Sequence, residues 1–392
     1  MKIIGADPHV IFDKNSSTYY AYVTSNIDDG MTFKIYKSKD LIKWSYVNRA
    51  LVTNDDKTWG KDWFWAPECY YSEKANRYFL FYSAKVKDNI LEKHFYDNSY
   101  EECCKIGVAT STSPEGPFIN ITNEPLDYYP YDREVYDLEP ALEDKHNGRI
   151  SLETAAKIAK KGAYISQIDV NILFDDDRMF LYYSRCCYRN WVYDEKLGKF
   201  IEESNINCIE ITTDWFYDKE GKTMPQVLDK YKVIEDGKRR DKYHSIISYH
   251  KDPQDWENGH VNDFSTYNGA KKDRRWSEGS TTFTRIVDGK KVYFITYSCN
   301  NFENELYGVG YATSDSPTEG FVKSKLNPII HQIPEEKLYS TGHGSWISKD
   351  GKDYYVFHGR DVLNEPRILY SGEMKIEGKN IRLVSFNKSE TE

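Results

Sequence analysis

The chain has 392 residues, is 39% hydrophobic and carries a formal charge of −9, enough apolar material for two ordinary domains or one large all-β unit. The charge argues against a nucleic-acid partner, because phosphate recognition needs a concentrated basic surface, and the basic clusters Lys238-Arg239-Arg240 and Lys271-Lys272-Asp273-Arg274-Arg275 read as solvated loops. No apolar run reaches a membrane span, and 33 Tyr beside 18 Phe and 9 Trp favour strands over a helical bundle.

In chain order, a short segment with one acidic or histidine residue is followed by a turn and then an aromatic strand. Ala6-Asp7-Pro8 precedes a strand starting at Tyr19 (YYAYVT), and Ala66-Pro67-Glu68 precedes one at Tyr78 (YFLFYS). Ile168-Asp169-Val170 leads to Phe180 (FLYYS), Ser277-Glu278-Gly279 to Tyr293 (YFITYS), and Gly342-His343-Gly344 to Tyr354 (YYVFH). Two of the intervals between strand starts are 59 and 61 residues, whereas the others are 102 and 113. The longer intervals are the same unit with insertions at roughly 119–163 and 216–275, which surface loops tolerate. A helix is predicted over Ser151–Lys161, with Ser151 or Thr154 as cap, and the second insertion reads as loop.

Lys105–Phe118 and Gly308–Phe321 are nearly superimposable, and Phe33–Trp44 is a looser copy. Each reads as an alternating strand, a Ser/Asp/Pro turn and an aromatic, the third strand and outer edge of a four-stranded antiparallel sheet. Five such sheets set radially predict an all-β, five-bladed β-propeller, one catalytic domain over 1–392 around a central channel. The expected blades are roughly 1–60, 61–130, 164–235, 276–330 and 338–392. A sandwich or β-helix does not yield five equivalent units of this length.

In a propeller the first strand of each blade lines the channel, so Asp7, Glu68, Asp169, Glu278 and His343 would converge. The carboxylates Asp7, Asp169 and Glu278 suggest glycosidic-bond hydrolysis, which needs two carboxyl groups in unlike protonation states, a third raising the acid's pKa by like charge. The bland alternative makes each a channel plug bonded to backbone. Trp65 and Trp276 flank two of these segments and would either stack on sugar rings or pack in the core. His343 alone has no metal signature, and Asp175-Asp176-Asp177 reads as a hairpin turn rather than a metal loop. No nucleophile elbow or phosphate loop is present. Seven cysteines without a metal or disulfide pattern, and a short apolar start, predict free thiols and a cytoplasmic protein.

Together Ala6-Asp7-Pro8, Trp65-Ala66-Pro67-Glu68, Ile168-Asp169-Val170 with Phe174-Asp175-Asp176-Asp177, Ser277-Glu278-Gly279, the two repeated Ala-Thr-Ser stretches and Gly342-His343-Gly344-Ser345 resemble glycoside hydrolase family 43 over essentially the whole chain. The resemblance implies an inverting five-bladed enzyme of β-xylosidase, α-L-arabinofuranosidase or arabinanase type acting on plant oligosaccharides. It implies Asp7 as general base, Asp169 as the carboxylate orienting the acid, and Glu278 as general acid. It also implies a channel calcium reached by His343 directly or through water, and an arginine on a sugar hydroxyl, here Arg367 in preference to Arg360. Trp65, Glu68, Trp276 and Arg367 are the candidate substrate-binding residues. Val170 and Ser280 stand where the family usually has proline. The rival expectations are a propeller that binds carbohydrate or protein without cleaving it, and a related glycosidase for another sugar.

Overall fold

The computed structural model describes residues 1–144, 148–186, 189–258 and 274–392. Lys271, Lys272, Asp273 and Cys187 therefore lie outside the described residues. The chain is all-β, built on four-stranded antiparallel sheets that succeed one another along the sequence. Sheet I comprises Ala6–Asp13, Thr18–Thr24, Met31–Ser38 and Lys43–Val52; sheet II comprises Gly60–Ser72, Arg77–Val86, Cys104–Ser111 and Ile119–Asn120. Sheet III comprises Gln167–Asp175, Arg178–Arg185, Ile206–Ile211 and His244–Ile247. Sheet IV comprises Ser277–Val287, Lys290–Cys299, Gly308–Ser314 and Val322–Lys323, and sheet V comprises Tyr339–Lys349, Lys352–Arg360, Ile368–Glu377 and Asn380–Lys388.

The aromatic runs are the second strand of each sheet. They are aromatic throughout because both faces are covered: Tyr20 and Tyr22 pack with Leu80 and Tyr82 of sheet II, whereas Tyr19, Ala21 and Val23 pack with Val356 and Leu369 of sheet V. Alternate residues of a strand point to opposite faces, so period-two patterning disappears when both faces are buried. The same division recurs at II against III (Phe81 with Ile172), III against IV (Tyr182 with Ile295) and IV against V (Phe294 with Tyr355). Each such side chain contributes roughly 2 kcal/mol by burial, so these contacts dominate the cohesion between sheets. First strands also pack against one another in chain order, and that of sheet V against that of sheet I.

The repeated stretches at Lys105 and Gly308 lie on third strands, as expected, with Phe118 buried and Phe321 partly so. Asp175-Asp176-Asp177 makes the expected hairpin turn, Asp175 pairing with Arg178. The predicted helix is Leu152–Ile158, with the Ser151 side chain accepting from Thr154 N–H. The segment 216–275 is not all loop: His244–Ile247 returns to pair with Ile206–Ile211, extending sheet III past the expected 235 because Ile247 joins the core between sheets III and IV. A further sheet was not anticipated. Lys160–Tyr164, Tyr131–Asp137, Trp191–Asp194, Lys199–Glu203 and Arg274–Arg275 form it from three separate connections, which is why local sequence carried no sign of it.

Candidate active site

Every first strand carries a bulge at a residue with left-handed backbone: Asp7 (φ 49°), Ala66 (48°), Asp169 (52°), Gly279 (60°) and His343 (27°). A bulge re-aims a side chain, and left-handed geometry at a non-glycine residue costs about 1–3 kcal/mol unless neighbours hold it. The neighbours are the end residues of the preceding sheet's second strand. Asp7 N–H donates to His358 Nδ1 (3.0 Å), Ala66 N–H to Thr24 Oγ1 (2.8 Å), Gly279 N–H to Ser184 Oγ (3.0 Å) and His343 N–H to Ser298 Oγ (2.7 Å). Two motif glycines answer to crowding: a Cβ at Gly279 would lie 2.6 Å from the His343 ring, and one at Gly342 would lie 2.0 Å from Tyr307.

These turns bring Asp7, Asp169, Glu278 and His343 together. His343 Nδ1 is 3.5 Å from Asp7 Oδ1 and 4.0 Å from Asp169 Oδ1. Asp169 Oδ2 accepts from Gly279 N–H at 3.2 Å, which ties it to the residue after Glu278. The carboxyl groups differ in charge state. Burial pushes Glu278 up to about 8, and the charges of Asp169 and Asp7 push the same way against the hydrogen bond donated by Tyr307 Oη (2.9 Å). Burial would also raise Asp7, but Arg367, whose NH1 stands 3.3 Å from Oδ1, together with His358 and His343, pulls it well below the ordinary aspartate value. His358 is itself pushed down to about 3, first by burial and then by Arg367, so it is neutral and Arg367 supplies the decisive charge. Asp169 is raised by burial, opposed by His343 and reinforced by Asp7.

Glu68 lies one layer deeper. It is 3% exposed, two residues past the bulge, and bonded to Tyr70 Oη and Asn171 Nδ2 (3.1 Å). Burial holds it up at about 8, while burial and then His343 hold the neighbouring His9 down at about 3, so this layer is neutral near pH 7. The layer stitches adjacent first strands: Cys69 N–H donates to His9 Nδ1 (3.1 Å), Thr282 N–H to Asn171 Oδ1 (3.0 Å), and Val10 N–H to Ser345 Oγ (2.9 Å).

Trp65 is half-buried, stacked on Trp63 at 5.0 Å, and both line a cleft of about 700 Å³ that also includes Ala6 and Arg367. Trp276 is half-buried, with the Arg274 guanidinium 6.0 Å from its ring. Arg367 reaches Asp7 and lies over Phe302 at 4.5 Å, whereas Arg360 is turned onto the carbonyls of Glu365 and Phe302. Sequence reasoning missed Tyr307 and His358, whose rings stack at 5.8 Å beside Glu278 and Asp7 respectively. His358 was visible as the last letter of the fifth aromatic strand, where the others end in Thr or Ser. Tyr307 arrives from a loop with no motif. Among the described residues no group of three His, Cys, Asp or Glu could hold a metal ion, and His343 Nδ1 faces carboxylates.

One carboxyl held ionised and another held protonated at a shared site is the pairing that glycosidic-bond hydrolysis uses. The family model for glycosyl hydrolases family 43 matches residues 2–136 and 153–378, and the chain belongs to that family. It is similar in structure to an endo-1,4-β-xylanase from Bacteroides thetaiotaomicron, with 25% identity and a TM-score of 0.66 over 100% of this chain and 98% of that one. A thermostable family-43 glycoside hydrolase matches at 24% identity and TM-score 0.66, covering 100% and 95% of the two chains. A β-D-galactofuranosidase of Aspergillus niger is 36% identical over 74 residues, which span 19% of this chain and only 21% of that relative.

Proposed function

We propose that the five sheets are the blades of a five-bladed β-propeller formed as one domain over 1–392, and that this enzyme inverts configuration while cleaving arabinofuranosyl or xylosyl linkages in plant-derived oligo- or polysaccharides. The observation that carries the reading is the gathering of Asp7, Asp169 and Glu278 at one site in unlike surroundings, Arg367 3.3 Å from Asp7 and the Tyr307 hydroxyl 2.9 Å from Glu278, which favour opposite charge states. Asp7, ionised at any working pH, takes a proton from a water as its oxygen attacks the anomeric carbon. Glu278 gives its proton to the departing glycosidic oxygen on the other side of the ring. Asp169 sets the acid's position through Gly279 and keeps its proton on by like charge. Arg367 holds Asp7 ionised and offers its remaining N–H groups to a sugar hydroxyl, and Trp65 and Trp276 offer ring faces to neighbouring sugars. Glu68 positions the strand beneath rather than touching sugar. A channel calcium would rest on His343 and water, adding positive charge near the carboxylates; every step above is carried by the chain's own residues.

The six described cysteines are all free, which supports a reducing compartment and the trimming of imported oligosaccharides there. The local match to a galactofuranosidase favours a second reading in which the sugar is a hexofuranose. Glu278→Gln is the direct test. Release of pentose from aryl glycosides with poor leaving groups is expected to fall by about 100- to 10,000-fold, with activated leaving groups much less affected. Undiminished release from the poor leaving group overturns the acid assignment. A panel of aryl arabinofuranosides, xylosides and galactofuranosides assigns the sugar.

A further inference from the structure

The cleft beside Asp7 carries charge of the wrong sign for the rest of the molecule. The chain as a whole is at −9, yet the cleft is lined by the cations Lys34, Arg49 and Arg367 against the single carboxylate of Asp62. That carboxylate is turned back on its own chain, accepting from Trp63 N–H at 2.8 Å. Arg49 is held rigid: one NH1 donates to Ser25 Oγ (3.1 Å) and to the Asn26 carbonyl (2.7 Å), while its other nitrogen meets the exposed Asp28, outside the cleft. The Lys34 ammonium has no hydrogen-bond or ion-pair partner among the described residues, although its backbone N–H is fixed on the same Ser25 Oγ at 3.1 Å. A fourth cation, Lys85, lies 4.5 Å over the Trp63 ring. Arg367 is paired with Asp7 and Arg49 with Asp28, so Lys34 is the lining cation that a neutral pentose chain, which needs only the stacked tryptophans, would leave without counter-charge.

We infer that the cleft is a subsite for an anionic sugar, a uronic acid attached to the oligosaccharide whose neighbouring linkage is cleaved. The inference rests on the glycosidase reading of the preceding subsection and deepens it to a substrate class. The Trp63/Trp65 pair takes an uncharged ring, and Lys34, with the fixed Arg49 behind it, takes the uronate carboxylate. Charge-assisted hydrogen bonds of this kind are roughly twice as strong as neutral ones and are directional at arginine. Placed where Arg367 already faces Asp7, the uronate sits next to the reacting ring, so it acts on the choice of linkage and not only on affinity.

The test uses Glu278→Gln as a cleavage-deficient binder and the wild type as the catalyst, each with a neutral arabinoxylan oligosaccharide and the same oligosaccharide bearing one glucuronate. The uronate-bearing ligand is expected to bind Glu278→Gln about ten-fold more tightly at low salt, the preference shrinking as ionic strength rises. Adding Lys34→Gln is expected to abolish most of that preference. The wild type should show the same preference in kcat/KM. Equal binding of the two ligands, or a preference untouched by Lys34→Gln and by salt, overturns the subsite. Tight, Lys34-dependent binding of the uronate without cleavage of either ligand keeps the subsite and removes the glycosidase reading, so the two failures are separable.

Discussion

At the scale of single residues, the site depends on one arginine. Asp7 and Glu278 are both carboxyl groups taken out of water, which by itself raises each of them. Arg367 beside Asp7 reverses the sign for that residue, whereas at Glu278 burial and the charge of Asp169 outweigh the hydroxyl of Tyr307 and a weaker pull from the same arginine. In the proposed role Glu278 works protonated, so kcat/KM should hold through neutral pH and fall as pH rises through about 8. No acid limb from Asp7 is expected where the protein stays folded, because its carboxyl is held well below the ordinary range. For stability the same proton matters at lower pH. Between the pH at which a free glutamate ionises and about 8, the folded chain keeps a proton the unfolded chain has released, so this group's contribution declines as pH rises across that window. A pH profile of kcat/KM on a pentoside measures the first effect, and a limb near pH 5 would contradict the environment described for Glu278.

At the scale of the strand, the repeated unit is a bulge plus the side chain that catches it. His358 occupies in sheet V the register held by Thr24, Ser83, Ser184 and Ser298 in the others. Its Nδ1 does the common duty of accepting an N–H, here from Asp7, and its ring adds contact with the Asp7 carboxylate at 3.4 Å and with Tyr307. Replacing it tests the two duties apart. His358→Ser and His358→Ala both lose the ring, but only the serine can accept the Asp7 N–H, so urea denaturation should find the alanine variant about 1–3 kcal/mol less stable. Both should lose kcat by about 10- to 100-fold with a smaller change in KM, since Asp7 is no longer held in place. Equal stability of the two variants would mean that the N–H finds another acceptor. The same register explains what was legible in the sequence. Aligning the five segments on their polar residues treated those residues as equivalent, and Asp7, Asp169 and His343 are so: each is the left-handed residue of its bulge. Glu68 stands two positions after its bulge residue Ala66 and Glu278 one before Gly279, an offset that the sequence does not show because those bulge residues carry no polar signal. Tyr307 and the sheet assembled from 131–137, 160–164, 191–203 and 274–275 depend on segments that meet only after folding, and no local pattern announces them.

At the scale of the molecule, the two ends of the chain meet on the outer edge of sheet I. Glu390–Thr391 pairs in parallel with Lys43–Val52, Glu390 N–H donating to Ile42 O (2.9 Å) and Glu392 N–H to Trp44 O (3.2 Å). Thr391 N–H donates to Met1 O (2.7 Å), and the terminal ammonium returns a bond to Thr391 Oγ1 (2.8 Å). Nearer the site, Gly5 N–H donates to Arg367 O at 3.1 Å and Ile4 bridges Ile368, so the strand carrying Asp7 is attached to sheet V independently of the outer clasp. These two attachments have different consequences. Ending the chain after Lys388 removes the outer clasp and leaves the inner one, at a cost of about 1 kcal/mol for each backbone hydrogen bond lost, or roughly 3–5 kcal/mol in sum. Such a variant should melt several degrees lower, about 4–6 °C for a chain of this size, while its kcat/KM at 25 °C stays within about two-fold of the full chain. Calorimetry and pentose release on the same preparation check both halves. An unchanged melting temperature would show that the outer clasp contributes nothing to stability. Loss of activity in a sample that is still folded at 25 °C would show that the edge of sheet I, not the Gly5–Arg367 contact, sets the position of Asp7.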